Sequence, residues 1–202
     1  MKTLYIPFIE IFHTWERVEF LNDFSSPWRK DTPPKTAFQA YHNDEYLHFK
    51  YTAFGPKPLV YVKTNHKLEV IHSERVEIFF RKNANLNPYY VFEIDPHGRV
   101  LDYKASHYRN FDRSWSWPTD LQIKTEIHEY HYTVQGQFKK TDLRSLGLLQ
   151  NNELQVGLYR GHCTALKKDQ ANINWINWID SGTAEPDFHV PSSFGKFILQ
   201  AK

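Results

Sequence analysis

The chain has 202 residues, with 25 Lys and Arg against 23 Asp and Glu, which gives a formal net charge of +2 at pH 7. The two signs are interspersed along the chain, so the clustered basic surface of a nucleic-acid-binding protein is missing and no nucleic-acid partner is expected. The length suits one domain with a full core, and no linker divides the chain, so we predict a single domain over residues 1–202. No apolar stretch approaches the length of a membrane span.

Alternation of apolar and polar residues with a period of two predicts strands along most of the chain. The hairpin at the centre is the clearest, because Pro96-His97-Gly98 provides a turn in which Gly98 can take a positive φ. A single helical turn is predicted at 141–144, with Thr141 as its cap. The predicted strands are Thr36–Asn43, Tyr46–Phe54, Leu59–Lys63, Arg75–Arg81, Tyr89–Asp95, Arg99–Lys104, Leu121–His128, His131–Phe138, Glu153–Arg160 and Gly195–Gln200.

This pattern of many short strands with almost no helix predicts an all-β fold, a two-sheet antiparallel β-sandwich of the immunoglobulin or jelly-roll kind. Aromatic residues make up 16% of the chain, with 6 Trp, 12 Tyr and 15 Phe. Most of them suit half-buried strands, and the excess allows a surface on which rings stack against the C–H face of a sugar.

Cys163 is the only cysteine, which excludes an intramolecular disulfide and a cysteine-based zinc site; we expect it to be a small buried residue. The apolar run after Lys2 is short and is interrupted by Glu10, so no signal peptide is predicted. The compartment stays open: cytoplasmic for the chain as written, or secreted or periplasmic if a leader has been removed.

Two pairs of tryptophans are candidates for a stacking surface. Trp175 and Trp178 are each preceded by Asn and fall in a predicted long loop, where either one provides a sugar platform or both plug the end of the sandwich. Trp115 and Trp117 point to one face if their segment is extended, and they either form a second patch or pack over a sheet edge.

Polar candidates sit within or beside predicted strands. Glu77 lies among apolar neighbours, where a carboxylate is costly unless it pairs with an arginine or faces a polar cleft. Arg160, and more weakly Arg99, offers fixed donors to sugar hydroxyls from a strand end. His189 either lines a cleft or anchors its loop by hydrogen bonds.

Four segments in a fixed order resemble a known family. They read VEIFF at 76–80, YYVFEIDPHGRVLD at 89–102, VGLYRG at 156–161 and, after the C-terminal tryptophans, FHVPSSFGKFIL at 188–199. In this order they resemble the family 9 carbohydrate-binding modules, whose β-sandwich is related to DOMON domains and which are found attached to bacterial endo-1,4-β-xylanases. The resemblance extends from about Trp28 to Leu199.

The resemblance implies roles for several residues. Glu77 matches the family's sugar-site carboxylate, and a tryptophan of the C-terminal region forms one wall of that site, with Asn172 and Asn174 as nearby hydrogen-bonding candidates. The family's second stacking ring lies before the VE-F strand, but the stretch 68–74 here contains no tryptophan. Either His72, Trp115 or Trp117 replaces that ring, or the sugar is not held between two rings. Calcium is common in the family's loops, and the carboxylates available for it are Asp95, Asp102 and Asp112.

The implied function is binding of a plant-type polysaccharide or its oligosaccharides, of the xylan or glucan class, in carbohydrate catabolism, without catalysis and beside glycan-degrading enzymes. A glycoside hydrolase that uses Glu77 and Glu93 is the second hypothesis. A haem-binding DOMON domain is the third; no haem is expected, since Met1 is the only methionine and a Met–His axial pair is excluded, which leaves only a bis-His site. A structural interaction domain without sugar affinity is the fourth.

Overall fold

The computed structural model describes residues 2–10, 15–168 and 170–202, and across them the chain is almost entirely β. The short helical elements in this part are α1 (Lys140–Ser145) and 3-10 turns at Trp15–Arg17, Lys67–His72 and Pro191–Ser193. The strands are β1 (Thr3–Ile6), β2 (Thr36–His42), β3 (Tyr46–Phe54), β4 (Arg75–Arg81), β5 (Tyr89–Ile94), β6 (Val100–Ser106), β7 (Asn110–Asp112), β8 (Ile123–Ile127), β9 (His131–Lys139), β10 (Glu153–Lys167), β11 (Gln170–Asn177) and β12 (Gly195–Leu199).

The strands form two sheets. The larger has eight strands in the order β1-β12-β10-β4-β5-β6-β7, with β11 paired to the far half of β10, and the smaller has the order β2-β3-β9-β8. Neighbouring strands are antiparallel except for the parallel pair of β1 and β12. The predicted two-sheet β-sandwich is confirmed.

The main core lies between the sheets and follows the period-2 alternation of their strands. In β10 the residues Leu154, Val156 and Leu158 face inward, and they belong to one buried cluster with Phe49 and Tyr51 of β3. Burying such side chains contributes roughly 1.5–3 kcal/mol each.

A second buried cluster covers the outer face of the eight-stranded sheet. Phe79 of β4 and Tyr159 of β10 point to this face, and Phe188 and Phe194 of the C-terminal loop cover them. The rings of Tyr159 and Phe188 stack at 4.0 Å between centroids. This second layer holds the C-terminal loop against the sheet, which positions the cleft described below.

Two local predictions were wrong. Leu59–Lys63 is not a strand: its polar backbone is satisfied by single bonds, from Glu74 N–H to the Leu59 carbonyl at 2.8 Å and from Tyr61 N–H to Ser73 Oγ at 3.0 Å, rather than by a ladder. The N-cap residue of α1 is Lys139, whose side chain makes no capping bond, and Thr141 lies inside the helix.

Within the described residues, no helix is long and apolar enough to cross a membrane.

Candidate functional site

A cleft of about 310 Å³ opens on the outer face of the eight-stranded sheet, beside the second buried cluster. Its size is at the lower end of the range for small-molecule sites, roughly 300–1,000 Å³. Three segments meet around it: the turn before β4, β7 with the residues on either side of it, and the C-terminal loop. The lining residues are Ile71, Arg75, Glu77, Glu93, Tyr103, Arg109, Phe111, Arg113, Trp175, Pro186, Phe188 and His189.

Larger hollows exist, and one of about 450 Å³ lies over the smaller sheet, where Trp15 and Lys124 are among its lining residues. No carboxylate borders that hollow among the described residues. We place the candidate site in the smaller cleft, because buried charged groups converge there beside an aromatic ring and perturbed carboxylates mark functional sites.

Strand register brings the tryptophan of the cleft to its charged neighbour. Trp175 of β11 pairs with Gly161 of β10, which in turn pairs with Arg75 of β4. A Cβ at Gly161 would lie 3.2 Å from both Arg75 Nη1 and Trp175 Cζ3, so the missing side chain lets the two approach each other. The Arg75 guanidinium carbon lies 4.9 Å from the Trp175 ring centroid, within range of a cation–π contact.

Arg75 stands between two glutamates that face each other across β4 and β5. Its Nε lies 2.9 Å from Glu77 Oε1 and 2.8 Å from Glu93 Oε2. The Nε hydrogen is directed at Glu77, so Glu93 Oε2 is in ion-pair range but has no aligned hydrogen bond. Burial, with the Glu93 charge as a second cause, raises the pKa of Glu77 to about 8, although Arg75 opposes that shift.

The C-terminal loop is tied to the sheet through His189. Its ring Nδ1 lies 2.9 Å from the hydroxyl of Tyr89, and its backbone N–H donates to Asp187 Oδ1 at 3.0 Å. Burial lowers the pKa of His189 to about 4, so the ring is neutral near pH 7. His189 therefore both lines the cleft and anchors its loop, so the two alternatives that the sequence left open apply together.

Among the residues proposed from sequence, the structure brings Glu77, Trp175 and His189 together at this cleft. It does not bring Trp178 there. Trp175 lies in β11 and Trp178 directly follows its last residue, so the two do not lie in a long loop. The backbone N–H of Trp178 still donates to the Leu158 carbonyl of β10 at 3.0 Å. Residues three positions apart in an extended segment point to opposite faces. Trp178 points into the main core and is 1% exposed, which leaves no ring face for a ligand.

The other tryptophan pair also packs inward. Trp117 is 7% exposed and contacts Phe92 at 5.1 Å, and Trp115 packs on Tyr90 at 4.8 Å. Both rings contact the main core rather than forming an open patch.

The remaining polar candidates lie elsewhere. Arg160 is buried on the inner side of the sheet, with Nε 2.7 Å from Glu74 Oε1. Arg99 pairs with Glu69 at 3.1 Å and with Asp95 at 2.7 Å in the turn between β5 and β6. Asn172 is exposed on β11 and does not line the cleft.

The aspartates considered for calcium are each held by a basic side chain. Asp95 pairs with Arg99, Asp102 with Lys67 at 2.9 Å, and Asp112 with Lys104 at 3.2 Å. In the described ranges no three His, Cys, Asp or Glu side chains are grouped as metal ligands would be.

Sequence reasoning missed all three arginines at the cleft, Arg75, Arg109 and Arg113. Arg75 was available from periodicity, since it lies two residues before Glu77 and shares its strand face. Arg109 and Arg113 lie between the predicted strands Arg99–Lys104 and Leu121–His128, and nothing local places that connection beside Trp175.

The fold is that of the β-sandwich carbohydrate-binding domains. The chain matches the family described as carbohydrate family 9 binding domain-like over residues 10–202, and it belongs to that family. No curated protein matches the chain.

Solved structures of low sequence identity share the fold. A protein of Bacteroides uniformis ATCC 8492, described as a candidate carbohydrate-binding protein, has 16% identity and a TM-score of 0.70, over 98% of this chain and 99% of that one. A family 9 module of Caldicellulosiruptor kristjanssonii in complex with glucose has 18% identity and a TM-score of 0.59, over 100% and 97%. A cellotriose complex of a family 9 module from the same organism has 16% identity and a TM-score of 0.63, over 100% and 95%.

Proposed function

We propose that this protein binds a carbohydrate in the cleft beside Trp175 and does not itself catalyse a reaction. The observation that carries the proposal is the placement of a half-buried tryptophan next to the buried cluster of Arg75, Glu77 and Glu93, on the open face of a family 9 sandwich. The ring offers an apolar surface for the C–H face of a sugar, and the charged groups offer fixed donors and acceptors for its hydroxyls.

Stacking in this cleft would come from one tryptophan. Ile71 lines the cleft from the stretch before β4, where the resemblance predicted a second ring. His72 is not part of the lining and packs instead on Tyr61, edge to face at 5.5 Å. One tryptophan gives weaker stacking than the two rings of the family's site, so the polar contacts carry a larger share of the affinity.

The ligand class that the family suggests is a plant-type polysaccharide of the xylan or glucan class. Family 9 modules of the same fold are solved with glucose and with cellotriose. A role in carbohydrate catabolism beside glycan-degrading enzymes is part of the same proposal.

The test is calorimetric titration of the wild-type protein and Trp175→Ala with glucose, cellobiose, xylobiose and longer xylan fragments. We expect saturable binding by the wild type and a loss of about thirtyfold or more in Trp175→Ala, roughly 2 kcal/mol for a central aromatic contact. Trp15→Ala, at the hollow over the smaller sheet, is the matched control and should bind as the wild type does. Unchanged affinity in Trp175→Ala with loss in Trp15→Ala would move the site to that hollow.

A glycoside hydrolase is the second candidate, because Glu77 and Glu93 are directly opposite in the strand register and line the cleft. Against it, both carboxylates are in contact with the same guanidinium and are only 3% and 8% exposed. Release of reducing sugar from xylan or glucan that disappears in Glu77→Gln would establish this alternative.

A further inference from the structure

The cleft carries more arginine than the binding of a neutral sugar requires. Three arginines line it, Arg75, Arg109 and Arg113, against two carboxylates, Glu77 and Glu93. The balance between them decides what charge the cleft presents to a ligand.

The innermost cluster is neutral. Arg75 contacts both glutamates, and the pair of carboxylates shares its single positive charge. Because burial and the Glu93 charge raise the pKa of Glu77 to about 8, that carboxyl keeps its proton near pH 7. One cation and one anion then remain.

The next arginine is also compensated. Arg109 Nη2 lies 3.1 Å from Asp187 Oδ1, and the hydroxyl of Tyr108 donates to the other oxygen of that carboxylate at 2.9 Å. This pair forms a neutral edge of the cleft.

Arg113 is the charge left over. It is exposed, its guanidinium carbon lies 5.5 Å from the Phe111 ring centroid, and no carboxylate of the described residues is in ion-pairing distance. Its neighbour Asp112 is already bound by Lys104 at 3.2 Å and by the hydroxyl of Ser114 at 2.6 Å. A guanidinium laid on an aromatic ring at the mouth of a cleft presents a planar set of donors that matches a carboxylate.

We propose that the cleft selects an acidic sugar, a hexuronic acid residue, and that Arg113 binds its carboxylate while the ring of the sugar lies against Trp175. This inference rests on the proposed carbohydrate-binding function and names the ligand class of that same site. The neutral inner cluster then serves the hydroxyls, and the uncompensated arginine provides the selectivity for charge.

The experiment compares glucuronic acid with glucose, and galacturonic acid with galactose, by calorimetric titration of the intact chain at pH 7. Glucuronamide, which keeps the shape of the acid and lacks its charge, is the uncharged control ligand. We expect each acid to bind roughly fivefold or more tightly than its neutral partners, as for a hydrogen-bonded charge pair at a partly exposed site. The advantage should shrink as salt is raised.

Arg113→Gln should remove that advantage, so that each acid binds no more tightly than its neutral partners. The matched control is Arg144→Gln, which makes the same charge change on the exposed side of α1 and should retain the preference. Glucose 6-sulfate separates a carboxylate site from a site for any anion: binding as tight as that of glucuronic acid would contradict the hexuronic acid assignment.

The outcomes separate this inference from the function on which it rests. Equal affinity for acids and neutral sugars overturns acid selection and leaves carbohydrate binding standing. A preference for acids that survives in Arg113→Gln overturns the assignment of Arg113. Absence of binding by all of these sugars and by the xylan and glucan fragments overturns the proposed function itself.

Discussion

The two sides of the eight-stranded sheet each carry a buried cluster of arginine and glutamate, and the clusters differ in how completely their polar atoms are bonded. On the inner side, Glu74 Oε1 accepts from Arg160 Nε at 2.7 Å and from the hydroxyl of Tyr132 at 3.1 Å. Its Oε2 accepts from the Cys163 N–H at 2.6 Å and lies 3.0 Å from His162 Nδ1. All of these partners are supplied by the protein itself.

On the outer side, one arginine contacts two glutamates. Arg75 bonds to Glu77, and Glu93 Oε2 is buried beside it without an aligned hydrogen bond. The two clusters consequently shift carboxylate pKa values in opposite directions. Burial disfavours the charged form of Glu74, but His162 and Arg160 hold its pKa below the usual value, whereas burial and Glu93 raise the pKa of Glu77.

The difference separates a structural network from a binding site. A buried polar network that is fully bonded stabilises one arrangement of the core and has no capacity left for a ligand. A cluster with an incompletely bonded carboxylate beside an open cleft has polar capacity that the protein itself does not use. Similar residue types in adjacent strands therefore serve different purposes, because one set faces the other sheet and one set faces the cleft.

The largest expected loss of stability that tests this comparison comes from a substitution in the inner cluster. Arg160→Met leaves Glu74 buried without its main cation, which should lower the free energy of unfolding by about 3–5 kcal/mol. Urea unfolding at pH 7 measures it, with the exposed Arg144→Met as control. A loss in Arg160→Met no larger than in Arg144→Met would contradict the structural role.

The two C-terminal tryptophans should differ in the same way, one in its effect on stability and the other in its effect on sugar binding. Trp178→Ala removes a fully buried ring from the main core and should lower the free energy of unfolding by about 3–5 kcal/mol. Trp175→Ala, at a half-buried position on the outer face, should lower it less and should lose sugar affinity instead. Urea unfolding together with calorimetric titration distinguishes the two. Equal destabilisation by both substitutions would mean that Trp175 too is mainly a packing residue.

Much of the fold could be predicted from sequence because it depends on local signals. The alternation in β4 and the hairpin of β5 and β6 through Gly98 are both present as predicted, and together with the other strands they specify a sandwich. The strand predicted at Leu59–Lys63 was wrong, because the backbone groups of this alternating stretch make isolated hydrogen bonds to the segment before β4.

The site was harder to predict from sequence, because its residues come from several strands that are distant in the chain. Glu77, Trp175 and His189 could be proposed from the family resemblance. The inward direction of Trp178 could not, because it depends on β11 being a strand, and the stretch was interpreted as a loop. The proximity of Arg113 to Trp175 depends on a contact between segments more than 50 residues apart, for which a single sequence has no signal.

The last test concerns pH and the outer cluster. Glu77 has a pKa of about 8 when folded and an ordinary one when unfolded, so the folded chain binds the additional proton between those values. Stability from this group is therefore present below the unfolded pKa and is lost as pH rises toward 8, by at most about 1.4 kcal/mol per pH unit. The pKa of Glu74 is lowered in the folded protein, so the stability from Glu74 is present at neutral pH and is lost as the pH falls into the acid range.

Urea unfolding of the wild type and Glu77→Gln from pH 5 to pH 9 measures the outer contribution. The two proteins should be nearly equally stable at pH 5, where the wild-type carboxyl is protonated, and Glu77→Gln should be the more stable at pH 9. Glu126→Gln, on the exposed strand β8, is the control and should not change the slope. Parallel profiles for wild type and Glu77→Gln would show that Arg75 keeps Glu77 ionised, and the outer cluster would then resemble the inner one in charge as well as in composition.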